Sequence, residues 1–307
     1  AGMLAPAFES ALEAPGPDGF AMLAASRDLW AETNVELYRD GALWISLAGD
    51  AQPVAAALRA QGARAELLSP AEARRLAPGL ASDVDGAVFT PEDWRLEPPG
   101  ALAALRQTYL DLGGGWVVAS AQAVSARSVQ TESERLQADA VVVCTGYAAA
   151  PPGGAPELAS LTAIRGELVR FPGQAPERGP ALRHAGGYIV PSAAGPIAGA
   201  TMLAGVESLE PSSAAQQQAE AAAVILPHLR SAPFSPAVGV RAATPDGLPL
   251  AGRSASGVWL AAGFRRNGWL LAPLAARIIA AGLGGADPGP WAEALRPDRF
   301  AARPSRA

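Results

Sequence analysis

Near the C-terminal end of the chain, the pattern of apolar and polar positions predicts a strand, a turn and a helix. Val258–Ala262 is an apolar run of strand length, and Gly263–Gly268 is a glycine-bounded turn that carries two arginines. Trp269–Leu283 is an apolar run of helical length that ends at glycines. A helix that follows such a turn directs its free N–H groups and the positive end of its dipole at the turn. The segment therefore predicts an anion-binding site.

Earlier in the chain the same patterns predict helices mixed with strands. Pro70–Leu76 is predicted as a helix with Ser69 as its N-cap, because proline is favoured in the first turn. Apolar positions at rough helical spacing run over Phe20–Leu37. The other predicted helices are Ala51–Gln61, Ala101–Leu112 and Ser212–His228, and the predicted strands are Gly41–Leu47, Gly86–Thr90, Thr162–Phe171 and two strands of a hairpin within Gly186–Met202.

Two segments in the middle of the chain read as further strands. Trp116–Glu132 is rich in short strand-like runs. Val141–Cys144 is a continuous apolar run, which is typical of a parallel strand buried on both faces. Thr145 and Gly146 end it, and Cys144 is expected to be a buried and inert thiol.

Composition and charge exclude several classes of function. The chain has 307 residues, of which 50% are hydrophobic, so it can form one large or two ordinary domains. Its net charge is −5 and it has no basic run, which argues against a nucleic-acid partner. All 24 basic residues are arginine, so lysine Schiff-base chemistry and a P-loop lysine are excluded.

Metal, disulfide and membrane chemistry are not indicated. One cysteine and two histidines cannot form a His/Cys zinc site or an internal disulfide. Glu92, Asp93 and Glu97 share a proline-rich loop and are expected to be solvated rather than to bind a metal. No apolar stretch reaches the roughly 18 residues needed to span a bilayer, so we predict no membrane partner and a cytoplasmic location. G-x-G-x-x-G and G-x-S-x-G are both absent from the sequence.

A series of short motifs, in order along the chain, resembles the FAD-dependent D-amino-acid oxidase and glycine oxidase family. They are Ala1–Met3 (AGM), Cys144–Gly146 (CTG), Ile164–Glu167 (IRGE), Tyr188–Pro191 (YIVP), Gly199–Met202 (GATM), Gly239–Gly252 (GVRAATPDGLPLAG), Gly263–Gly268 (GFRRNG) and Leu295–Phe300 (LRPDRF). Within this family the chain is most similar to the glycine oxidases of thiamine biosynthesis, and the resemblance implies FAD as cofactor.

The resemblance also implies a fold of α/β plus α+β class. An FAD-binding doubly wound domain would be interleaved with an antiparallel-sheet substrate domain. Because the G-x-G-x-x-G fingerprint is absent, the chain is expected to begin just after the N-terminal βαβ unit that carries it in this family. The expected FAD-binding domain comprises residues 1–40, 101–160 and 236–300, and the expected substrate domain comprises residues 41–100 and 161–235.

Site residues follow from the same motifs. Arg241 matches the arginine that binds the substrate carboxylate, for which a permanently charged, bidentate guanidinium is suited; a surface arginine is the alternative, and Ala242 stands where the family has proline. Tyr188 matches a tyrosine that can donate to the same carboxylate, or is an ordinary strand aromatic. Met202 matches a pocket wall or packs in the core. Arg266 matches an arginine near both flavin and substrate. The residues implied to bind the cofactor are Ala1, Gly2, Met3, Thr145, Gly146, Gly263, Arg266, Asn267, Gly268 and Trp269.

Other polar residues are expected to have structural roles. His184 and His228 are interpreted as structural, and Asp246 as a turn residue, since Pro-Asp-Gly is a strong turn signal. Arg265 is expected to face solvent.

The resemblance implies oxidation of a small amine or amino acid to its imine, with oxygen as acceptor. Two alternatives stay open. The chain could be a truncated, flavin-free relative without activity, or a dehydrogenase of the same fold that uses an acceptor other than oxygen. A small-molecule substrate is the expected partner, and the sequence leaves open whether the chain forms a homo-oligomer.

Overall fold

A computed structural model describes residues 1–13, 18–147 and 154–300. The chain divides into two compact units. Unit 1 comprises Ala1–Thr108, Arg165–Leu203 and Ser208–Gly239, and unit 2 comprises Tyr109–Ile164, Ala204–Glu207 and Val240–Ala307.

Helices form where the sequence has runs of alanine, leucine and other helix-favouring residues. In the described part of the chain the α-helices are α1 (Pro6–Glu13), α2 (Gly19–Asp28), α3 (Ala51–Ala60), α4 (Pro70–Leu76), α5 (Pro98–Asp111), α6 (Ala214–Ile225), α7 (Gly268–Gly284) and α8 (Ala292–Leu295). Short 3-10 helices cover Leu29–Glu32, Pro156–Ser160, Pro227–Ser231 and Pro297–Phe300.

The strands are short except for two of nine residues. They are β1 (Met3–Leu4), β2 (Ala42–Ser46), β3 (Glu66–Leu68), β4 (Gly86–Thr90), β5 (Trp94–Arg95), β6 (Ala123–Ser125), β7 (Ser128–Gln130), β8 (Arg135–Gln137), β9 (Val142–Val143), β10 (Thr162–Arg170), β11 (Ala181–His184), β12 (Gly187–Val190), β13 (Ile197–Gly199), β14 (Leu203–Ala204), β15 (Ser235–Ala243), β16 (Leu250–Arg253) and β17 (Trp259–Ala262).

A mixed sheet forms the centre of unit 1, with the strand order β10-β13-β12-β11-β2-β4-β3. β11 and β2 run parallel, and the other neighbours with a described register run antiparallel. Because successive side chains of a strand point to opposite faces, Leu43 and Leu182 pack on one face with α6, while Trp44 and Val88 pack on the other with Phe8. The sheet is thus covered on both faces.

Several predicted elements of unit 1 are confirmed. Helix α4 has the predicted bounds, and Ser69 caps it in a capping box with Glu72. The hairpin predicted in Gly186–Met202 forms from β12 and β13, and the strand predicted over Thr162–Phe171 is β10.

Unit 2 contains two three-stranded sheets. In one, β17 lies between β16, which is antiparallel to it, and β9, which is parallel to it. The other is an antiparallel meander of β6, β7 and β8. Val143, Leu250 and Leu260 form part of the core. The strand and helix predicted at Val258–Ala262 and Trp269–Leu283 are present as β17 and α7.

One strand prediction in unit 2 is wrong, and another is confirmed only in part. Val141–Cys144 is not buried on both faces, because alternate side chains of β9 face a covered and an uncovered side: Val143 is 4% exposed, Val142 is 40% exposed, and Cys144 is exposed. The strand-rich segment predicted over Trp116–Glu132 does contain β6 and β7, but residues 116–122 form no strand, and Val118 is 91% exposed. A strand needs a hydrogen-bonded neighbour, and the described residues supply none there.

Within the described ranges, no helix has both the length and the apolar character required to cross a bilayer.

Candidate functional site

A cavity of about 620 Å³ lies in unit 2. It lies at the ends of β9, β15 and β17 and along α7. Among the described residues that line it, two are arginines and none is acidic. The lining residues are Val142, Cys144, Gly146, Val240, Arg241, Ala242, Ala261, Ala262, Gly263, Phe264, Arg265, Ala272, Ala276, Ile279, Ala280 and Leu283. The cavity therefore combines apolar walls with positive charge.

The predicted strand–turn–helix supplies one side of this cavity. β17 ends at Ala262, and Gly263 follows with φ of +74°, a conformation that favours glycine. A Cβ on Gly263 would lie 2.8 Å from Cγ2 of Thr244, so the position has no room for a side chain. Asn267 is the N-cap of α7, yet its side chain makes no capping hydrogen bond. The 17-residue α7 therefore presents the positive end of its dipole at this turn.

One face of α7 forms a wall of small and aliphatic residues. Ala272, Ala276, Ile279, Ala280 and Leu283 all line the cavity. Their spacing of three and four residues places them on one face of the helix. Alanine at three of the five positions allows a ligand to approach the helix closely.

Arg241 and Arg265 are tied to each other through the backbone. The Arg265 N–H donates to the carbonyl oxygen of Ala242 at 2.8 Å, and Ala243 forms an antiparallel bridge with Phe264. Arg265 has φ of +52°, a left-handed conformation that costs about 1–2 kcal/mol in a residue with a Cβ. The expectation that Arg265 faces solvent is wrong: it is half-buried and lines the cavity beside Arg241.

The other predicted site residues of unit 2 lie at this cavity or at the start of α7. Gly146 lines the cavity with φ of +63°, and Thr145 precedes it at an exposed position. Arg266, Asn267, Gly268 and Trp269 form the end of the turn and the first residues of α7, all half-buried, and are not lining residues. Of the predicted residues, the structure thus brings Gly146, Arg241 and Gly263 to one cavity.

The predicted residues Ala1, Gly2 and Met3 lie in unit 1. Met3 begins β1, which pairs with β5. Gly2 has φ of +78°, and a Cβ there would lie 2.2 Å from the carbonyl oxygen of Leu96. Leu96 N–H donates to the Gly2 carbonyl at 2.9 Å. The small residues of the AGM motif therefore have a packing reason within unit 1.

Tyr188 and Met202 also belong to unit 1, and both are half-buried. Tyr188 is on β12, where it pairs with Arg183 of β11 and Gly199 of β13. A Cβ on Gly199 would lie 3.3 Å from the Tyr188 hydroxyl, so glycine leaves room for that group. Met202 follows β13 in a loop.

A buried polar cluster of unit 1 is missing from the sequence predictions. Arg183 donates to Glu9 at 2.9 Å, and both side chains are 7% exposed. Asp93 is 2% exposed and accepts hydrogen bonds from the N–H groups of Ala7 at 2.8 Å and Phe8 at 3.4 Å. Burial raises the pKa of Asp93 to about 7; Arg183 opposes this and Glu9 adds to it.

The expectation of a solvated acidic loop is therefore wrong. Asp93 binds the N-terminus of α1. Glu92 pairs with Arg27 and Arg64, and Glu97 accepts from Ser192. These partners lie between 28 and 95 residues away in the sequence, so local pattern could not identify them. In the described part of the chain no group of three His, Cys, Asp or Glu is arranged to hold a metal ion.

The IRGE motif contains a buried ion pair between Arg165 and Glu167. Arg165 donates to Glu167 at 2.9 Å, and the Glu167 side chain is 0% exposed. Ser212 donates to Glu167 through its N–H at 2.9 Å and its hydroxyl at 2.6 Å. The motif thus fixes β10 to the start of the segment that leads into α6.

The remaining polar residues have structural surroundings. Asp246 accepts from the Leu248 N–H at 3.0 Å and from Arg299, as expected of a turn residue. His228 is exposed and lies 2.8 Å from the Ala175 carbonyl through Nε2. His184 is buried at the end of β11, and burial lowers its pKa to about 4.

The family model of the FAD dependent oxidoreductases, DAO, matches residues 1–281. The chain therefore belongs to this family of FAD-dependent oxidoreductases, and membership implies FAD as its cofactor.

Two individual proteins are similar to this chain in sequence. The chain is 29% identical over 236 residues to glycine oxidase of Geobacillus kaustophilus, which covers 72% of this chain and 62% of that protein. It is 37% identical over 146 residues to the tRNA 5-methylaminomethyl-2-thiouridine biosynthesis bifunctional protein MnmC of Maricaulis maris, covering 46% of this chain and 24% of that protein. It thus spans less than two thirds of either relative.

Solved structures show the same fold. The crystal structure of glycine oxidase from Geobacillus kaustophilus superposes with a TM-score of 0.80 at 24% identity, covering 98% of this chain and 88% of that one. The mixed sheets and helices are therefore those of a glycine-oxidase-like fold.

The cavity of unit 2 fits the ring end of a flavin. Gly146 and Gly263 offer backbone without side chains at their positive φ values. The N-terminus of α7 and the two arginines favour negative charge, and the α7 residues that line the cavity are all apolar. These groups would hold the cofactor in this chain.

Proposed function

We propose that this protein oxidises a small amine or amino acid, of glycine or D-amino-acid type, to the corresponding imine with oxygen as acceptor. The observation that carries the proposal is that Arg241, Gly146 and Gly263 line the same cavity. Family membership supplies the redox class. The sequence similarity to a glycine oxidase supports the substrate type, and a role in thiamine biosynthesis is part of the same proposal.

Arg241 is the proposed group that binds the substrate carboxylate. Its guanidinium stays charged at every working pH and can donate two parallel hydrogen bonds. The backbone beside it is fixed by the hydrogen bond from the Arg265 N–H to the Ala242 carbonyl oxygen, which limits the positions that the Arg241 side chain can take before substrate binds. Arg265, in the same lining, adds a second positive charge.

When bound, FAD would supply the redox chemistry of this oxidation. The chain's own contribution is to bind, orient and exclude water. The apolar face of α7 removes water from the cavity, which strengthens the electrostatic effect of the arginines. The α7 dipole and the backbone of Gly263 would hold the cofactor at this turn and favour negative charge there. No side-chain base is required if the amine binds in its neutral form.

The test begins with the absorption spectrum of the purified 307-residue chain, with and without added FAD. Flavin bands that remain after gel filtration support the proposal, and a colourless protein would instead support the flavin-free alternative. Peroxide formation from glycine, sarcosine and D-alanine then defines the substrate. Substrate-dependent reduction of a dye without peroxide would favour the dehydrogenase alternative.

The substitution Arg241→Ala tests whether Arg241 binds the substrate carboxylate. We expect KM for the amino acid to rise by at least about 100-fold, since a charge-assisted bidentate pair is worth about 3 kcal/mol. Arg277→Ala is the matched control, because Arg277 is exposed on α7 and does not line the cavity. Equal kinetics for Arg241→Ala and Arg277→Ala would exclude a role of Arg241 in binding the substrate carboxylate. Tyr188→Phe separately tests the hydroxyl that the family resemblance assigns to the substrate.

A further inference from the structure

The wall of the unit 2 cavity carries more positive charge than one substrate carboxylate requires. Both Arg241 and Arg265 line the cavity, and no acidic residue is among the described residues that do so. A single guanidinium already offers a carboxylate two parallel N–H donors, one for each oxygen. The second arginine therefore indicates a second negative group on the ligand.

The two arginines lie at neighbouring positions of the wall. Ala243 and Phe264 form an antiparallel bridge. The Arg265 N–H donates to the Ala242 carbonyl oxygen at 2.8 Å, so Arg265 lies opposite the residue that follows Arg241. Cα atoms of such a hydrogen-bonded antiparallel pair are about 5.5 Å apart. One small molecule can therefore contact both arginine side chains.

The backbone of Arg265 supports a role for its side chain. Its φ of +52° is in the left-handed region, which glycine adopts readily and a residue with a Cβ adopts at a cost. A glycine at this position would avoid the cost but would also remove the charge from the cavity. Backbone strain of this kind is concentrated at ligand-binding sites, which agrees with a ligand contact by Arg265.

The surroundings strengthen the effect of both charges. The α7 residues that line the cavity are alanine, isoleucine and leucine. Charges beside such apolar groups interact more strongly than they do in water, so two neighbouring guanidinium groups destabilise each other and favour a bound dianion. A guanidinium has five N–H donors, so it can bind a ligand as well as groups of the protein.

We propose that the substrate is a dicarboxylic amino acid, of aspartate or glutamate type, whose α-carboxylate binds Arg241 and whose second carboxylate binds Arg265. The inference rests on the proposed function and adds the substrate class to it. An amino acid with one carboxylate would use Arg241 alone. A basic amino acid would be repelled by both arginines.

The first experiment measures binding by calorimetric titration of the full chain in the presence of FAD at pH 7. The probes lack an amino group, so they cannot be oxidised as amines. Succinate has two carboxylates, and succinamate has an amide of similar shape in place of one of them. We expect succinate to bind at least about tenfold more tightly than succinamate, the effect of one charge-assisted hydrogen bond. Glutarate and glutaramate repeat the comparison with a longer spacing.

Variants identify the residue that binds the second carboxylate. Arg265→Gln should abolish the advantage of succinate and leave the affinity for succinamate unchanged, which also shows that the variant is folded. Arg277→Gln is the matched control, because Arg277 is exposed on α7 and does not line the cavity, and it should keep the advantage.

Three results would overturn the inference. Neither dicarboxylate may bind more tightly than its half-amide. The advantage of the dicarboxylate may survive Arg265→Gln, which would assign this arginine to another ligand group. Arg265→Gln may weaken succinate and succinamate equally, which would place both arginines on one carboxylate.

Turnover separates this inference from the proposed function. We expect kcat/KM for peroxide formation to be at least about tenfold higher with D-aspartate than with D-asparagine, for the same reason. Oxidation of glycine or D-alanine without any preference for dicarboxylates would retain the proposed function and overturn the inference. A dicarboxylate preference in binding, with no oxidation of any amino acid, would retain the two-carboxylate site and overturn the proposed oxidation.

Discussion

Asp93 makes the stability of unit 1 depend on pH in an unusual direction. The carboxyl group is 2% exposed and accepts hydrogen bonds from the first turn of α1. Burial raises its pKa from 3.8 to about 7; the positive charge of Arg183 opposes the rise and the negative charge of Glu9 increases it. The informative change is Asp93→Asn, which keeps an acceptor oxygen for the Ala7 N–H and is neutral at every pH.

The sign follows from proton binding in the two states. Since the pKa of Asp93 is higher in the folded protein, the folded state holds this proton between pH 3.8 and about 7 while the unfolded state has lost it. The stability that the protonated group contributes is fully present below pH 3.8 and is lost as the pH rises through about 7. A shift of about 3 pKa units corresponds to about 4 kcal/mol of unfolding free energy.

Urea denaturation of the wild type and Asp93→Asn at pH 5, 6, 7 and 8 measures this effect, because other titrating groups largely cancel in the difference. The unfolding free energy of the variant, minus that of the wild type, should rise by about 1.4 kcal/mol per pH unit between pH 5 and 7 and then level off. Asp83→Asn, at an exposed position, should give a flat difference. A flat difference for Asp93→Asn as well would refute the reasoning.

Three further substitutions test other parts of the structure. Arg265→Gly should be more stable than the matched Arg266→Gly by about 1 kcal/mol in urea denaturation, because only Arg265 has a positive φ; equal stabilities would contradict this. Gly263→Ala should lower the unfolding free energy by about 2–4 kcal/mol, because of its φ of +74° and the overlap of a Cβ with its neighbours. Glu167→Gln should cost about 3 kcal/mol at pH 7. Although burial raises the pKa of Glu167, hydrogen bonds from Ser212 hold it below its usual value of 4.5. The wild-type advantage should therefore decrease as the pH falls below 4.5 and through the lowered pKa of the folded state; a deficit unchanged at low pH would contradict this.

Elements with strong periodicity or capping signals could be predicted from the sequence. Pro70–Leu76 carries its own N-cap and proline, and α7 is an apolar run bounded by glycines, so local residues determine both ends. The segment at Trp116 shows the limit of this reasoning. Its apolar composition is typical of a strand, but a strand also requires a hydrogen-bonded neighbour, which composition does not reveal.

The candidate site was predictable only as far as its motifs reach. Gly146, Arg241 and Gly263 were predicted from family resemblance and do line one cavity. Arg265 was misassigned, because the direction of a side chain in a turn depends on its φ and on the backbone bond to Ala242. The small residues of α7 that line the cavity repeat at helical spacing, which is a signal that the sequence contained.

Buried charges were not predictable, because their partners are distant in the sequence. Asp93 contacts Ala7 across 86 residues, and Arg183 contacts Glu9 across 174. A charged residue in a loop is usually solvated, so the sequence alone favoured the wrong interpretation. Only the fold brings these groups together.

Because the chain has no lysine, arginine supplies the positive charge in each of its buried ion pairs with carboxylates. Arg95, Arg165 and Arg183 are all buried, and each lies against a carboxylate. Arginine keeps its proton throughout the working pH range, whereas a buried lysine can lose its own. In such a cluster a change of pH near neutrality must therefore act on the carboxyl partner. Asp93, which has the raised pKa, is the group beside Arg183 that can respond.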